Sequence, residues 1–291
     1  MFEQWMQRTL AEVERALDTL VSADAPAGLS DAMRYSVLGG GKRLRALLVM
    51  AACETVAGER EAALRAACAV ELIHAYSLVH DDMPCMDNDV MRRGKPTTHV
   101  QFGEAEAMLA GDAMQALAFE ILTPETGVAA QLQARLCGLL ARSAGHAGMA
   151  GGQAIDLASV GKALDEETLR EMHRRKTGEL LRASTLMGAA CGCASPQAWA
   201  ALNDYGAALG LAFQVVDDIL DVTQDSSVLG KTAGKDQDAN KPTYVSLMGL
   251  PAAKAMAEQL RGQAHQALAR SGLSDTACLD MLANMVVERD N

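Results

Sequence analysis

Aromatic residues are scarce: two Trp, four Tyr and four Phe make up 3% of the 291-residue chain. That excludes a core that relies on large rings. Basic residues are also in deficit, with 26 Lys and Arg against 37 Asp and Glu and a formal net charge of −11. Nucleic acid is therefore not an expected partner, because phosphate backbones need basic faces. A small anionic substrate stays open, since divalent cations on carboxylates invert the local field. Most of the acids serve solubility. Seven cysteines, Cys53, Cys68, Cys85, Cys137, Cys191, Cys193 and Cys278, are scattered without a C-x-x-C pair. Zinc is not expected; packed thiols and a reducing cytoplasm are, and the localisation read here is cytoplasmic. No signal peptide is evident, because Met1 to Arg15 carries Glu3, Glu12 and Glu14 and reads as an amphipathic helix. The most apolar stretch, Ala62 to Val79, is interrupted by Arg65, Glu71 and His74, so it reads as a core helix and no transmembrane segment is expected.

What the chain has is alanine, leucine and methionine. The first two favour helices and the third fills gaps between them. Hydrophobic residues reach 49%, enough for a sizeable core. Apolar residues recur at helical spacing almost everywhere, which predicts helices over roughly 2–21, 28–38, 42–57, 60–82, 103–122, 127–148, 166–193, 197–221, 251–271 and 275–288. No strand alternation stands out and no linker appears, so a single all-α domain spanning 1–291 is expected. Two loops are crowded with charge: Met83 to Thr98, and Thr223 to Pro242. Each follows a long apolar helix, the usual place for a site on a rigid scaffold.

Those helices end in carboxylates. Asp217, Asp218 and Asp221 form one cluster, with Asp217 and Asp221 one helical turn apart and so on one face. Leu211, Phe213, Val215, Val216, Ile219 and Leu220 around them are apolar. Unpaired carboxylates in such a place are costly, and a hard divalent cation explains their presence. In the other cluster Asp81 and Asp82 end a helix, because Pro84 disfavours its continuation; Asp87 then turns back from the loop. Two facing acidic clusters suit a diphosphate bridged by magnesium, which takes oxygen ligands and retains water and phosphate. Taken singly, either cluster could equally be a solvated helix end.

The ordered motifs complete the picture. They are Gly40-Gly41-Lys42-Arg43-Leu44-Arg45, the run from His74 to Asp87, Arg92-Arg93-Gly94, Gly151-Gly152-Gln153 with Asp156, Lys176-Thr177-Gly178, Phe213-Gln214 through Asp221, Gly230-Lys231-Thr232, and Lys241 before Thr243-Tyr244. In this order the chain resembles the short-chain trans-prenyltransferases of the polyprenyl synthetase family, most closely the bacterial farnesyl diphosphate synthases, along essentially its whole length. The resemblance implies an antiparallel helical bundle around a deep cavity (the isoprenoid synthase type), a homodimer, and magnesium-dependent condensation of isopentenyl diphosphate with dimethylallyl and geranyl diphosphate. It assigns Asp81, Asp87 and Asp217 as metal ligands, with Asp82, Asp218 and Asp221 in support; Mn2+ is a possible substitute for Mg2+. It places Arg92, Lys176, Thr177, Gln214, Lys231 and Lys241 at the allylic diphosphate, and Lys42, Arg45, His74 and Arg93 at the isopentenyl diphosphate. Three departures stand out: Ala46 where proline is frequent, Asn88 where aspartate is frequent, and a tail, Glu288-Arg289-Asp290-Asn291, that is less basic than in many relatives. The tail puts in doubt any C-terminal part in closing the site.

Tyr76 and Ser77 lie five and four residues before Asp81, a rise of about 6–7.5 Å, where the growing chain would meet a floor. A bulky residue beside a small one resembles the C15 synthases more than the C10 or C20 enzymes. The alternatives are a C20 (geranylgeranyl) or C10 (geranyl) product, and, of a different class, a non-catalytic subunit of a heteromeric synthase, although both acid clusters are kept. A terpene cyclase would not need basic groups for a second diphosphate. A P-loop is excluded, because the glycine required five residues before Gly230 is Asp225.

Overall fold

The computed structural model describes residues 2–161, 164–223 and 243–289. The described elements are α1 (Phe2–Leu20), a 3₁₀ turn (Pro26–Gly28), α2 (Leu29–Val37), α3 (Leu44–Thr55), α4 (Arg60–Asp81), the two-residue strands β1 (Met91–Arg92) and β2 (Lys95–Pro96), α5 (Thr98–Phe102), α6 (Glu104–Glu120), α7 (Ala130–Ala144), α8 (Met149–Ala158), α9 (Glu166–His173), a π-turn (Arg174–Gly178), α10 (Glu179–Ala190), α11 (Pro196–Thr223), α12 (Tyr244–Met248), α13 (Leu250–Arg270) and α14 (Ala277–Val287). The all-α expectation holds.

Helix α4 is the axis of the bundle. Ala62, Ala63, Ala66, Ala67, Cys68, Ala69, Val70, Leu72 and Ile73 are buried all round it, as for a helix enclosed by others rather than laid on a surface. It is long and apolar enough to cross a membrane by length and composition, yet 72% of that stretch is buried inside the protein. It packs against α3 and α6, and α10 packs against α3 and α11, which in turn packs along α13. Outer helices show one-sided burial instead. In α1, Trp5, Thr9, Val13 and Leu17 form a stripe at four-residue spacing.

Glu71 is the acid inside this core, 3% exposed. Its carboxylate accepts from the Ala46 backbone N–H at 3.1 Å and from Arg43 Nη1 at 3.3 Å. It therefore satisfies a first-turn donor of α3 that would otherwise be orphaned, and the buried charge is paired.

Several boundaries differ from the periodicity reading. The helix expected over 127–148 ends at Ala144, and α8 begins after the glycines at 145 and 148. The helix expected over 166–193 is α9, the π-turn and α10 in succession. The 83–98 loop contains a hairpin, pairing Met91 with Pro96 and Arg92 with Lys95. Arg93 and Gly94 both have positive φ, 52° and 73°, the backbone of a tight two-residue turn. Two-residue strands are too short for alternation to register.

Candidate active site

The first acid bank forms where α4 stops. Asp81 is its last residue and Asp82 its C-cap. The chain then folds back, with the Asp87 N–H donating to the Asp81 carbonyl at 2.9 Å and the Asp89 N–H to the Asp82 carbonyl at 3.1 Å. This brings Asp87 to Asp81 despite six residues of separation. Burial, with Asp87 and Asp82 adding to it and Lys176 opposing, pushes the Asp81 carboxyl up to about 6. Asp82 is 3% exposed and accepts a fork from Arg92, with Nε at 2.8 Å and Nη2 at 2.6 Å. Arg92, expected at the allylic diphosphate, thus braces the first bank in this structure.

The second bank projects from α11. Thr177 donates from Oγ1 to Gln214 Oε1 at 3.1 Å, and Gln214 Nε2 donates to Asp218 Oδ1 at 2.9 Å. Asp218 Oδ2 accepts the Tyr244 backbone N–H at 2.8 Å. The chain of bonds links the π-turn, α11 and the start of α12, so Asp218 and Gln214 act as fasteners as well as site residues. Asp221 is buried on the next turn. Asp217 instead accepts from Arg289 Nη2 at 2.5 Å.

Between the banks stands Lys176 on the π-turn, its Nζ 2.6 Å from Asp156 Oδ2. A π-turn widens a helix by one residue and often marks a site. Gly152 of α8 makes room for it, since a Cβ there would lie 2.2 Å from the Lys176 backbone nitrogen. Asp87, Asp156, His173, Lys176, Gln214 and Asp218 line one cavity of about 160 Å³. One carboxylate from each bank, Asp87 and Asp218, thus lines this cavity. Burial, then Lys176, pulls His173 down to about 4, so it is neutral.

A second cavity, about 900 Å³, is lined by Lys42, Arg45, His74 and Arg93 together with Phe213 and Arg289. All four residues expected at the isopentenyl diphosphate meet there. Burial first, then Arg45 and Arg93, hold His74 well below its ordinary value and hence neutral. Burial likewise lowers Lys42, with Arg289 adding to the effect and Asp217 opposing it. Arg93 is held in place by the Gly40 carbonyl. Arg43, inside the same motif, also borders this cavity, with its guanidinium tied to Glu14 at 2.7 Å and to the Val37 carbonyl at 2.5 Å. Its φ of 49° is left-handed, at the N-cap of α3.

Tyr76 sits edge-on to His80, with ring centroids 5.7 Å apart, and burial raises its hydroxyl pKa. Ser77 Oγ donates to the His74 carbonyl at 2.9 Å. Lys231 and Lys241 lie outside the described residues. Two site residues escaped the sequence reading of roles. Asp156 was signalled by its glycine-rich motif but had no function attached, and Arg289 carried no motif signal.

Among the described residues no three of His, Cys, Asp or Glu converge closely enough to hold a metal ion as they stand. The donor set nevertheless fits magnesium in kind. It is all carboxylate oxygen, and the burial strain on Asp81 is relieved by a cation.

A helical bundle in which a carboxylate from each acid bank lines one cavity, beside a second cavity lined with bases, defines a diphosphate-handling transferase scaffold. The Polyprenyl synthetase family description matches residues 26–278. Geranylgeranyl pyrophosphate synthase 7, chloroplastic, of Arabidopsis thaliana is 47% identical over 293 residues, covering 100% of this chain and 84% of that protein. A putative farnesyl-diphosphate synthase from Marinomonas sp. MED121 superposes with a TM-score of 0.85 at 40% identity, covering 99% of both chains. A geranyltransferase from Helicobacter pylori, solved with magnesium and isoprenyl diphosphate, superposes at 0.83 with 32% identity, covering 97% of this chain and 96% of that one. The chain belongs to the polyprenyl synthetase family and is a prenyl diphosphate synthase.

Proposed function

We propose that the chain condenses isopentenyl diphosphate with dimethylallyl and then geranyl diphosphate to give C15 farnesyl diphosphate. The observation that carries the two-substrate reaction is the pairing of one acid-lined and one base-lined cavity, both bordered by α11. Asp81, Asp87 and Asp217 would hold magnesium, with Asp82, Asp218 and Asp221 in support. Magnesium supplies charge stabilisation for the departing diphosphate. Lys176 adds a preorganised positive charge from the π-turn, and Thr177 and Gln214 direct oxygen dipoles at the allylic cation as its C–O bond opens. In the second cavity Arg45, Arg93 and Lys42 orient the isopentenyl diphosphate, and neutral His74 contributes a hydrogen bond without a further charge. The double bond attacks the cation, a new C–C bond forms, and a proton leaves to the released pyrophosphate. Lys231 and Lys241 are kept as candidates from sequence only. A homodimer belongs to the same reading, supported by the apolar Met108 and Leu109 exposed on α6.

The names of the curated relatives side with a C20 product rather than C15, at 44–47% identity. That is the second reading. Tyr76 on the wall between α4 and α6 is the feature of this chain that supports C15. Purified protein with Mg2+, isopentenyl diphosphate and C5, C10 or C15 allylic partners decides between them, read as product length. C15 accumulation with no use of farnesyl diphosphate is expected. Efficient conversion of farnesyl diphosphate to C20 overturns the C15 reading. Asp81→Ala and Asp217→Ala are each expected to lower turnover by at least about a thousandfold, the scale of losing a main electrostatic contribution, with the helical circular dichroism unchanged. Retained turnover in either removes metal-assisted ionisation.

A further inference from the structure

Arg289 lies two residues past the end of α14, and its side chain is 9% exposed. Its Nη2 donates to Asp217 Oδ1 at 2.5 Å and to the Phe213 carbonyl at 2.7 Å. The guanidinium lies 3.9 Å over the Phe213 ring. Its Nε is buried and has no hydrogen-bond partner. The residue therefore has three anchors on one turn of α11, and Asp217 supplies the countercharge that a buried guanidinium requires. The same carboxylate is an expected metal ligand. A magnesium ion on this carboxylate would sit beside the guanidinium, and two cations sharing one carboxylate repel each other, so each weakens the other's hold on it.

We propose that Arg289 is a latch on the second acid bank, standing on Asp217 in the place of the metal until the metal displaces it, so that Asp81 and Asp87 load first. The inference rests on the reading of Asp217 as a ligand. The Phe213 ring and carbonyl hold the guanidinium whether or not Asp217 lets go, so displacement shifts Arg289 without expelling it. The shifted side chain stays on the wall of the 900 Å³ cavity, beside Lys42, Arg45 and Arg93. Its charge, neutralised by Asp217 before, is then free to act on an anion in that cavity. Loading of the second bank and binding of the second diphosphate are thereby coupled, and coupling is reciprocal by linkage.

The test counts Mn2+ ions by electron paramagnetic resonance, in the presence of inorganic pyrophosphate, in the native chain and in Arg289→Gln. The native chain is expected to bind a tight and a weaker class of ion, and Asp217→Asn to lose the weaker one in both backgrounds. Arg289→Gln should bind the weaker class about tenfold more tightly, the effect of removing one charge-assisted bond, with the tight class unchanged. Phe213→Leu keeps the arginine but removes its platform, and should show a smaller gain of the same sign. It serves if Arg289→Gln does not fold. Equal weaker-class affinity in native and variant chains overturns the latch alone. Absence of that class from both removes the latch together with the reading of Asp217 on which it rests.

Discussion

At the residue scale, the site depends on which groups burial keeps neutral and which it leaves charged. His173 is the clearest case. It is 7% exposed, both ring nitrogens lack hydrogen-bond partners, and it packs against Tyr244 with ring centroids 5.5 Å apart. Its folded value of about 4 lies below that of an unfolded histidine near 6.5. The unfolded chain therefore takes up a proton that the native chain refuses, and the stabilising contribution present above pH 6.5 is lost as pH falls towards 4. A lowering of this size is worth on the order of 3 kcal/mol. Chemical denaturation at pH 7 and pH 4.5 should show that loss in the native chain and a smaller one in His173→Phe. An equal loss in both would place the acid sensitivity elsewhere. Sequence reading proposed the charged residues of the site from motif position. It did not attach roles to Asp156 or Arg289, because their significance lies in their partners, Lys176 and Asp217, which are 20 and 72 residues away.

At the element scale, the informative feature is the π-turn. Helical periodicity alone reads 166–193 as continuous, since one extra residue barely disturbs an apolar pattern. Yet that residue is what places Lys176 and Thr177 towards α8 and α11. Gly152→Ala tests the arrangement. The new Cβ would lie 2.2 Å from backbone, which cannot be relieved by rotating a side chain. A loss of about 1–3 kcal/mol, typical of overpacking, is expected in thermal or urea unfolding. Turnover should fall more than stability does, because the displaced element carries the lysine proposed to face the departing diphosphate. Unchanged turnover in the folded variant would show that the π-turn has no part in catalysis. The helices with one-sided or all-round burial, such as α1 and α4, were readable from spacing. The short α5 and α12 and the hairpin were not, because two to five residues are too few to set a period.

At the scale of the whole molecule, the architecture divides the work between two cavities bordered by α11 and leaves the chain-length wall to the contact of α4 with α6. Tyr76 lies on α4 with its ring against His80 one turn on. Replacing Tyr76 with alanine should open the wall and shift product towards C20, and Ser77→Phe should close it and shift product towards C10, each by most of the product and read by chromatography. An unchanged distribution in both would place the determinant elsewhere. Composition and the 3.6-residue period by themselves determined the helical class and the core helices. The two acid clusters, each at the end of an apolar helix, pointed to a divalent-cation diphosphate chemistry. Only the tertiary structure decided which groups these carboxylates meet. Asp82 goes to Arg92, Asp218 to Gln214 and the Tyr244 N–H, and Asp217 to Arg289. The reason is physical: the strength of a charge pair depends on separation and on the water excluded around it, and both are set by how distant helices pack rather than by the order of residues along the chain.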